Sequence, residues 1–255
     1  QPSMTDLLPI TDTSDPLNIS KGNPSLKPSY TNSFMLFYNT FLPEKQQSMM
    51  ARLTFSNTIN SVSNTVTYDE ETGARITQPK NINGNWSASG GFVFNTPLKN
   101  KKFTVSTFSD GSYNNMVGFT SLSGQTDSQK NTTRSLNLSE RLNGTFRNDW
   151  FEFGLNGGIR YNVSKSTLQP QSDKETFDYS FGASSNVTLP WDVTVSTDAS
   201  YSMKRGYSEG LDRNELIWNA QIAKNFLKKK QATISLQIYD ILKEQSNLSR
   251  SISAS

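Results

Sequence analysis

The sequence predicts an all-β protein: an antiparallel up-and-down transmembrane β-barrel, with about ten strands in this chain as part of a larger barrel. Three observations predict this fold. Apolar and polar residues alternate with a period of two along most of the 255 residues, the connections between the alternating segments are short and long in turn, and aromatic residues collect beside the short connections. The first observation indicates strands, and the other two are typical of a barrel in an outer membrane.

The composition agrees with a sheet that has no large core of its own. Only 33% of the residues are hydrophobic, although 11% are aromatic, and Ser, Thr and Asn together make up about a third of the chain. So few aliphatic residues cannot fill one large core, while the aromatic content argues against disorder. The sequence has no run of 18 apolar residues, which excludes a transmembrane helix.

Two residue types are missing, and this limits the possible chemistry. With neither Cys nor His, the chain cannot provide a disulfide framework, a thiolate or histidine metal site, or a Ser-His-Asp triad. Its net charge of +3 is too small to indicate binding of nucleic acid. We therefore expect no enzyme activity, no catalytic residues, no metal and no cofactor. Asp178 and Asp198 could form a carboxylate pair on neighbouring strands, but hydrated charges in a lumen are the expected role of these residues.

Ten alternating segments are predicted to form the strands. Many of them exceed the length of about 9–11 residues that a tilted strand needs to cross the hydrocarbon of a bilayer. The segments are residues 33–41, 48–62, 81–97, 101–114, 131–147, 150–164, 176–189, 191–203, 214–227 and 231–242.

The sixth segment alternates most strictly and predicts the direction of each side chain. Its apolar set is expected to face lipid and consists of Phe151, Phe153, Leu155, Ile159 and Tyr161. Its polar set is expected to face the lumen and consists of Glu152, Asn156, Arg160 and Asn162. Along the whole chain the polar set is mostly Ser, Thr, Asn, Gln and Gly, which suits a hydrated lumen better than the charged face of a soluble sheet.

The lengths of the connections predict which end of the sheet is which. The short connections are residues 42–47, 98–101, 147–150, 189–191 and 227–231. The long ones are residues 63–80, 115–130, 165–175, 204–213 and the tail after Leu242. In outer-membrane barrels the short turns are periplasmic and the long loops are extracellular, so we expect the same orientation here.

Aromatic and basic residues mark the strand ends, as in the girdles of a membrane barrel. The aromatic residues beside the short connections are Phe41, Phe94, Phe103, Phe146, Trp150, Phe151, Trp191 and Phe226. The basic residues beyond them are Lys99, Lys101, Lys102, Arg147, Lys228, Lys229 and Lys230. A sparser set at the opposite ends includes Tyr113, Tyr161, Tyr179 and Tyr201.

A stiff turn precedes the first strand. Its prolines fix φ, and a Gly-Asn pair permits positive φ, so the plain interpretation is a loop that leads into a strand. However, this motif resembles the GNP-x-LKP segment of TonB-dependent receptor barrels, in particular the outer-membrane β-barrel family of Bacteroidetes. Residues 239–242 (Tyr-Asp-Ile-Leu) are similar to that family's near-terminal segment. The motif residues are Gly22, Asn23, Pro24, Leu26, Lys27 and Pro28.

The resemblance implies a place in the outer membrane of a Gram-negative bacterium and a role in nutrient import. It implies outer-membrane lipid as a partner, a small nutrient as ligand (a siderophore, glycan or peptide), and a TonB energy-coupling system that acts through parts absent from this chain. Residues 1–32 would be an extracellular-side lead-in, and residues 33–255 the barrel strands. We expect the chain to be the C-terminal part of a barrel whose outermost segments here, 33–41 and 231–242, pair with strands outside it.

Three aromatic residues in the predicted long loops are candidate ligand contacts: Tyr68, Phe119 and Tyr207. Their rings could stack on a sugar or a siderophore, and the alternative is local packing of the loops. The acidic run of residues 69–71 could bind Ca²⁺, but it lacks spaced oxygen ligands and is better explained as a solvated loop tip. The alternative function is a surface-exposed β-protein that does not transport, such as an adhesin or a glycan-binding protein.

Overall fold

The computed structural model describes residues 2–98, 101–122, 125–207, 214–226 and 232–245. One four-residue helix, Met4–Leu7, and two single 3₁₀ turns, Pro170–Ser172 and Pro190–Asp192, accompany the strands. The strands in chain order are β1 (Thr11–Asp12), β2 (Asn18–Lys21), β3 (Tyr30–Leu42), β4 (Gln47–Ile59), β5 (Ser61–Tyr68), β6 (Arg75–Ile82), β7 (Asn85–Pro97), β8 (Phe103–Thr120), β9 (Gln129–Arg147), β10 (Phe151–Ser166), β11 (Lys174–Leu189), β12 (Val193–Arg205), β13 (Asn214–Phe226) and β14 (Ala232–Ile238).

Ten of these strands form one antiparallel sheet, which we call the wall sheet. Its order is β14-β13-β12-β11-β10-β9-β8-β7-β4-β3, so each of the ten predicted segments pairs with the next one along the chain. The all-β, up-and-down architecture is therefore confirmed. Within the described residues β3 and β14 are the two edges and are not hydrogen-bonded to each other, so the sheet is open.

The short connections turn tightly by identifiable local means. Asn148 closes the turn between β9 and β10, because its side-chain oxygen accepts hydrogen bonds from the backbone N–H groups of Trp150 (3.1 Å) and Phe151 (2.8 Å). Gln46, Lys101 and Trp191 adopt positive φ in three other turns. The predicted basic cap at residues 228–230 and Lys99 lie outside the described residues.

The first long connection differs from its prediction as a plain loop between strands. Residues 61–82 form the hairpin β5–β6, which continues β4 and β7 beyond a bend at Asn60 (φ 54°) and Gly84 (φ 120°). The hairpin joins β1 and β2 in a second sheet, which we call the loop sheet, with the order β1-β2-β6-β5 and a parallel pairing of β2 with β6.

The side chains with the least exposure lie at the long-loop end and not in the middle of the wall. The buried apolar residues are Leu26, Ala74, Ile82 and Val117. By contrast, wall residues that point to the apolar side are exposed, including Leu155 (54%), Phe181 (52%) and Leu142 (55%). No helix among the described residues is long and apolar enough to cross a membrane. Because the apolar side chains of the wall have no protein cover among the described residues, the apolar face depends on lipid for its burial.

Aromatic contacts border the apolar face at both ends. Near the short turns Phe103 packs on Phe146, with ring centroids 4.7 Å apart, and near the long loops Trp86 stacks on Tyr113 at 5.0 Å. Phe103 and Tyr113 lie on the same strand, and ten residues span about 33 Å along it. At a tilt of about 40° this corresponds to a height of about 25 Å, the height of an outer-membrane apolar band.

One carboxylate interrupts the apolar face near the middle of this band. Glu140 lies between Leu138 and Leu142 on that face of β9, opposite Ile159 of β10, and accepts a hydrogen bond from the hydroxyl of Thr107. A charged group on the lipid side of a barrel destabilises it, and carboxylates cost less than the ~2–4 kcal/mol of a basic residue at mid-depth.

We therefore expect Glu140→Leu to raise the free energy of unfolding in lipid vesicles by about 1 kcal/mol. Urea titration followed by tryptophan fluorescence measures this change. Glu152→Leu is the matched control, because Glu152 lies on the polar face and forms an ion pair with Arg147 (2.5 Å); this variant should gain no stability. A loss of stability in Glu140→Leu would show that this part of the face does not contact lipid.

Candidate ligand-binding surface

The polar face of the wall sheet carries many neutral side chains that bond across strands, with charged residues such as Arg160 and Asp178 among them. Asn162 of β10 lies opposite Asn137 of β9 and Thr176 of β11. Its amide donates to the Thr176 hydroxyl (3.2 Å), and the Asn137 amide donates to the Ser112 hydroxyl (3.2 Å). This arrangement confirms the predicted alternation, because Asn156, Arg160 and Asn162 share a face while Leu155 and Ile159 lie on the other.

The loop sheet is tied to the long-loop end of the wall. The backbone N–H of Tyr68 donates to the Thr126 carbonyl (2.8 Å), and that of Ser128 donates to the Val66 carbonyl (2.8 Å), so residues 126–128 run beside β5. Nearer the start of the same strand, the Ser63 hydroxyl accepts a hydrogen bond from the Phe119 N–H (3.4 Å). Two of the predicted long loops therefore form one ordered structure.

Within the motif before β3, Gly22, Asn23 and Leu26 attach the lead-in to this structure. The Gly22 N–H donates to the Ile10 carbonyl (3.0 Å), and a Cβ at Gly22 would lie 1.9 Å from the Leu8 carbonyl oxygen. Asn23 reaches β6, since its amide donates to the Pro79 carbonyl (2.9 Å). Leu26 is buried, whereas Pro24, Lys27 and Pro28 are exposed.

Asn81 completes this attachment and is a residue that sequence reasoning missed. Its side-chain oxygen accepts from the Lys27 N–H (2.7 Å), and its amide donates to the carbonyls of Lys27 (3.0 Å) and Asn60 (3.0 Å). One asparagine thereby joins the lead-in, the bend after β4 and β6. The asparagine-rich run of residues 81–85 was the available signal, because Asn favours turns in which its side chain bonds to backbone.

Two cavities lie where the loop sheet meets the wall, and Phe119 lines both. The larger, about 750 Å³, lies between β5 and the ends of β7 and β8, with hydroxyl and amide groups from Ser61, Ser63, Asn85 and Asn114. The second, about 700 Å³, opens on the loop sheet and is lined by Asn23, Thr65, Gln78, Lys80 and Asp127 among others.

A third cavity, about 390 Å³, lies on the polar face over strands β8 to β11 and shares Asn114 and Met116 with the first. Tyr207, which follows β12, covers one side of it and donates its hydroxyl to the Asp178 carboxylate (2.8 Å). Burial and this hydrogen bond raise the pKa of Tyr207 above its ordinary value. Tyr207 is therefore neutral and acts as a donor near neutral pH.

The three aromatic residues predicted to contact ligand do not line one cavity. Phe119 lies at the first two cavities and Tyr207 at the third, while Tyr68 lies at the end of β5, where its side chain is 39% exposed. The role of all three residues as ligand contacts stays a prediction.

Acidic groups considered from the sequence are engaged locally or lie apart. Asp69 accepts hydrogen bonds from Thr72 and Glu71 within its own turn, and those from the Thr72 backbone and hydroxyl are the main cause of its lowered pKa. Asp178 and Asp198 lie on one face of adjacent strands, but the partner of Asp198 on β11 is Ser184, about 20 Å along the strand from Asp178. Among the residues described, no group of three or more acidic side chains is placed to hold a metal ion.

A family model described as "Outer membrane protein beta-barrel family" matches residues 1–150 and, in a second segment, residues 124–255. No curated protein matches the chain.

Proposed function

Because the chain belongs to the outer membrane protein beta-barrel family, and so is located in the outer membrane of a Gram-negative bacterium, we propose that it forms part of a TonB-dependent nutrient receptor. In this proposal the wall sheet is the lipid-facing part of the barrel, and the long-loop end faces the outside of the cell. The ligand is a small nutrient, and the chain performs no chemistry on it. Energy coupling acts through parts of the receptor outside these residues.

The observation that carries the proposal is the clustering of polar cavities at one end of the polar face. All three are lined by hydroxyl and amide groups, and Phe119 and Tyr207 are among the aromatic residues there that could stack on a ligand. Pockets of about 300–1,000 Å³ hold small molecules, and the three volumes fall in this range. The first and third cavities are lined by residues of the polar face, which would line the lumen of a barrel, and this position suits a ligand that passes through the barrel better than the outward surface of an adhesin.

The mechanism follows from these positions. A ligand that arrives from outside first meets the loop sheet, then the cavities beside β5 and β8, and then the hydrated polar face. Hydroxyl and amide groups along that face can exchange hydrogen bonds with the ligand one after another as it passes through the lumen. The lead-in attached by Asn23 and Asn81 keeps the loop sheet in place at the entrance.

The test compares two bacterial strains that differ only in this protein. Both receive a defined mixture of oligosaccharides, short peptides and ferric siderophores, and mass spectrometry follows the loss of each compound from the medium. We expect at least one compound to disappear severalfold faster when the protein is present, and a protonophore to abolish the difference. Equal loss in both strains would contradict import, and a difference that persists with protonophore would indicate a passive pore.

A further inference from the structure

The third cavity contains an excess of positive charge. Of the side chains that line it, Arg160, Lys174 and Asp178 are charged, two positive and one negative. Arg160 lies directly opposite Asp178 on the adjacent strand, and Lys204 of β12 lies opposite Asp178 on the other side. Asp178 is therefore flanked by Arg160 and Lys204, and Lys174 lies four residues away on the same strand as Asp178.

These cations have no carboxylate of their own. The Asp178 carboxylate accepts the Tyr207 hydroxyl (2.8 Å), and the ion pair that the structure shows within its described parts is Arg147 with Glu152, at the opposite end of the strands. Neither Arg160 nor Lys174 comes within 4.0 Å of a carboxylate in these parts. Lys174 is half-buried, so part of its hydration is lost without a protein counter-charge.

The rest of the cavity supplies neutral hydrogen-bond donors. The amides of Asn114, Asn137 and Asn162 and the hydroxyl of Ser164 line it, and Thr176 at its floor is only 1% exposed. A cleft that combines a guanidinium, an ammonium and amide N–H groups favours an anion, because hydrogen bonds from charged donors are the strongest. A cavity of about 390 Å³ has room for a small organic molecule.

We propose that this cavity binds a small molecule that carries an anionic group, a carboxylate or a phosphate. The Arg160 guanidinium and the Lys174 ammonium bind the anion from two sides, and the Asn162 amide donates to it between them. The Tyr207 hydroxyl donates a hydrogen bond to the Asp178 carboxylate and so weakens the repulsion between this carboxylate and the anionic ligand. This inference rests on the proposed function, since it names the chemical class of the imported molecule, but binding can be measured without transport.

The experiment is calorimetric titration of the complete outer-membrane protein in a non-ionic detergent, with succinate, inorganic phosphate and the uncharged succinamide as probes. We expect succinate or phosphate to bind at least about tenfold more tightly than succinamide, as loss of a charge-assisted hydrogen bond implies. Binding of succinate alone assigns a carboxylate ligand, and binding of phosphate alone assigns a phosphate. Equal affinity for succinate and succinamide, or no binding of either anion, would overturn the proposal.

Variants separate the site from general charge effects. Arg160→Gln and Lys174→Gln should each weaken anion binding about tenfold, and Arg141→Gln, a matched change on the same face of β9, should leave it unchanged. Asp178→Asn should tighten binding, a gain that a merely structural role would not produce. Gel mobility checks that each variant is folded. Unchanged affinity in folded Arg160→Gln and Lys174→Gln, or weaker binding in Asp178→Asn, would overturn the assignment. Energy-dependent nutrient uptake without anion binding would overturn this inference and leave the proposed import intact.

Discussion

Leu155→Arg is expected to lower the free energy of unfolding of the barrel in lipid vesicles by about 1–3 kcal/mol, because Leu155 lies between the border of the apolar band and its midplane, where an arginine costs about 2–4 kcal/mol. Leu155 lies on the apolar face of β10, 54% exposed in the protein alone, two residues beyond the aromatic residue Phe153 that borders the band. A guanidinium at this depth loses its hydration. The residues that face it on the neighbouring strands are Ala183 and Gly144, which have no charge to compensate it. Equilibrium unfolding in urea, followed by tryptophan fluorescence, measures the loss.

Asn156→Arg is the matched control for this change. The residue is the next one along β10 and lies on the polar face opposite Asn143, so its new charge stays in water. We expect a change within about 0.5 kcal/mol, typical of a hydrated surface position. Equal tolerance of arginine at both positions would show that the two faces do not differ in their contact with lipid, and the membrane orientation of the sheet would then be wrong.

Gly22→Ala is expected to destabilise the closed position of the lead-in by about 1–3 kcal/mol, which is the usual cost of a methyl group added where there is no space for it. The new Cβ would lie 1.9 Å from the Leu8 carbonyl oxygen and 3.0 Å from its carbon, so the backbone of one segment must move. Trypsin then reaches the bond after Lys21. Because cleavage follows the population of the open form, we expect it to be about 10- to 100-fold faster in the folded protein.

Gly144→Ala is the control for Gly22→Ala, because nothing lies within 4 Å of a Cβ at that position. Its rate of cleavage after Lys21 should equal that of the unchanged protein. If Gly22→Ala is cleaved no faster than this control, the lead-in is not held by the close approach of Gly22 to residue 8.

The wall strands could be predicted because their signal is local. Alternation at one position depends only on the two neighbouring positions, so residues 151–163 predict both a strand and its faces, and β10 extends over Phe151–Ser166. The predicted strand ends are less accurate where a strand extends beyond the apolar band. β8 continues to Thr120, six residues beyond its predicted end, because this part packs against the loop sheet, where Val117 is buried, and the alternation of the apolar band no longer applies.

The loop sheet and the cavities could not be predicted because they depend on distant pairings. No local pattern shows that β2 lies parallel to β6, or that Asn81 bonds to Lys27 across 54 residues. Likewise, Arg160 and Lys174 are unremarkable in the sequence, and only the register of β10 with β11 places them at one cavity. At the end of the chain, Asp240 adopts positive φ and ends the last strand earlier than the alternation suggests.

The parallel pairing of β2 with β6 has a consequence for the order of assembly. The wall hairpins close connections of a few residues, whereas the contact of Asn23 with Pro79 closes 56 residues, and the entropy of that closure costs roughly 2 kcal/mol more than a four-residue turn. Contacts of such sequence separation form late in folding. The N-terminal residues of this chain are therefore synthesised before the wall but settle after its first hairpins, and until then the edge of β6 stays open to other strands.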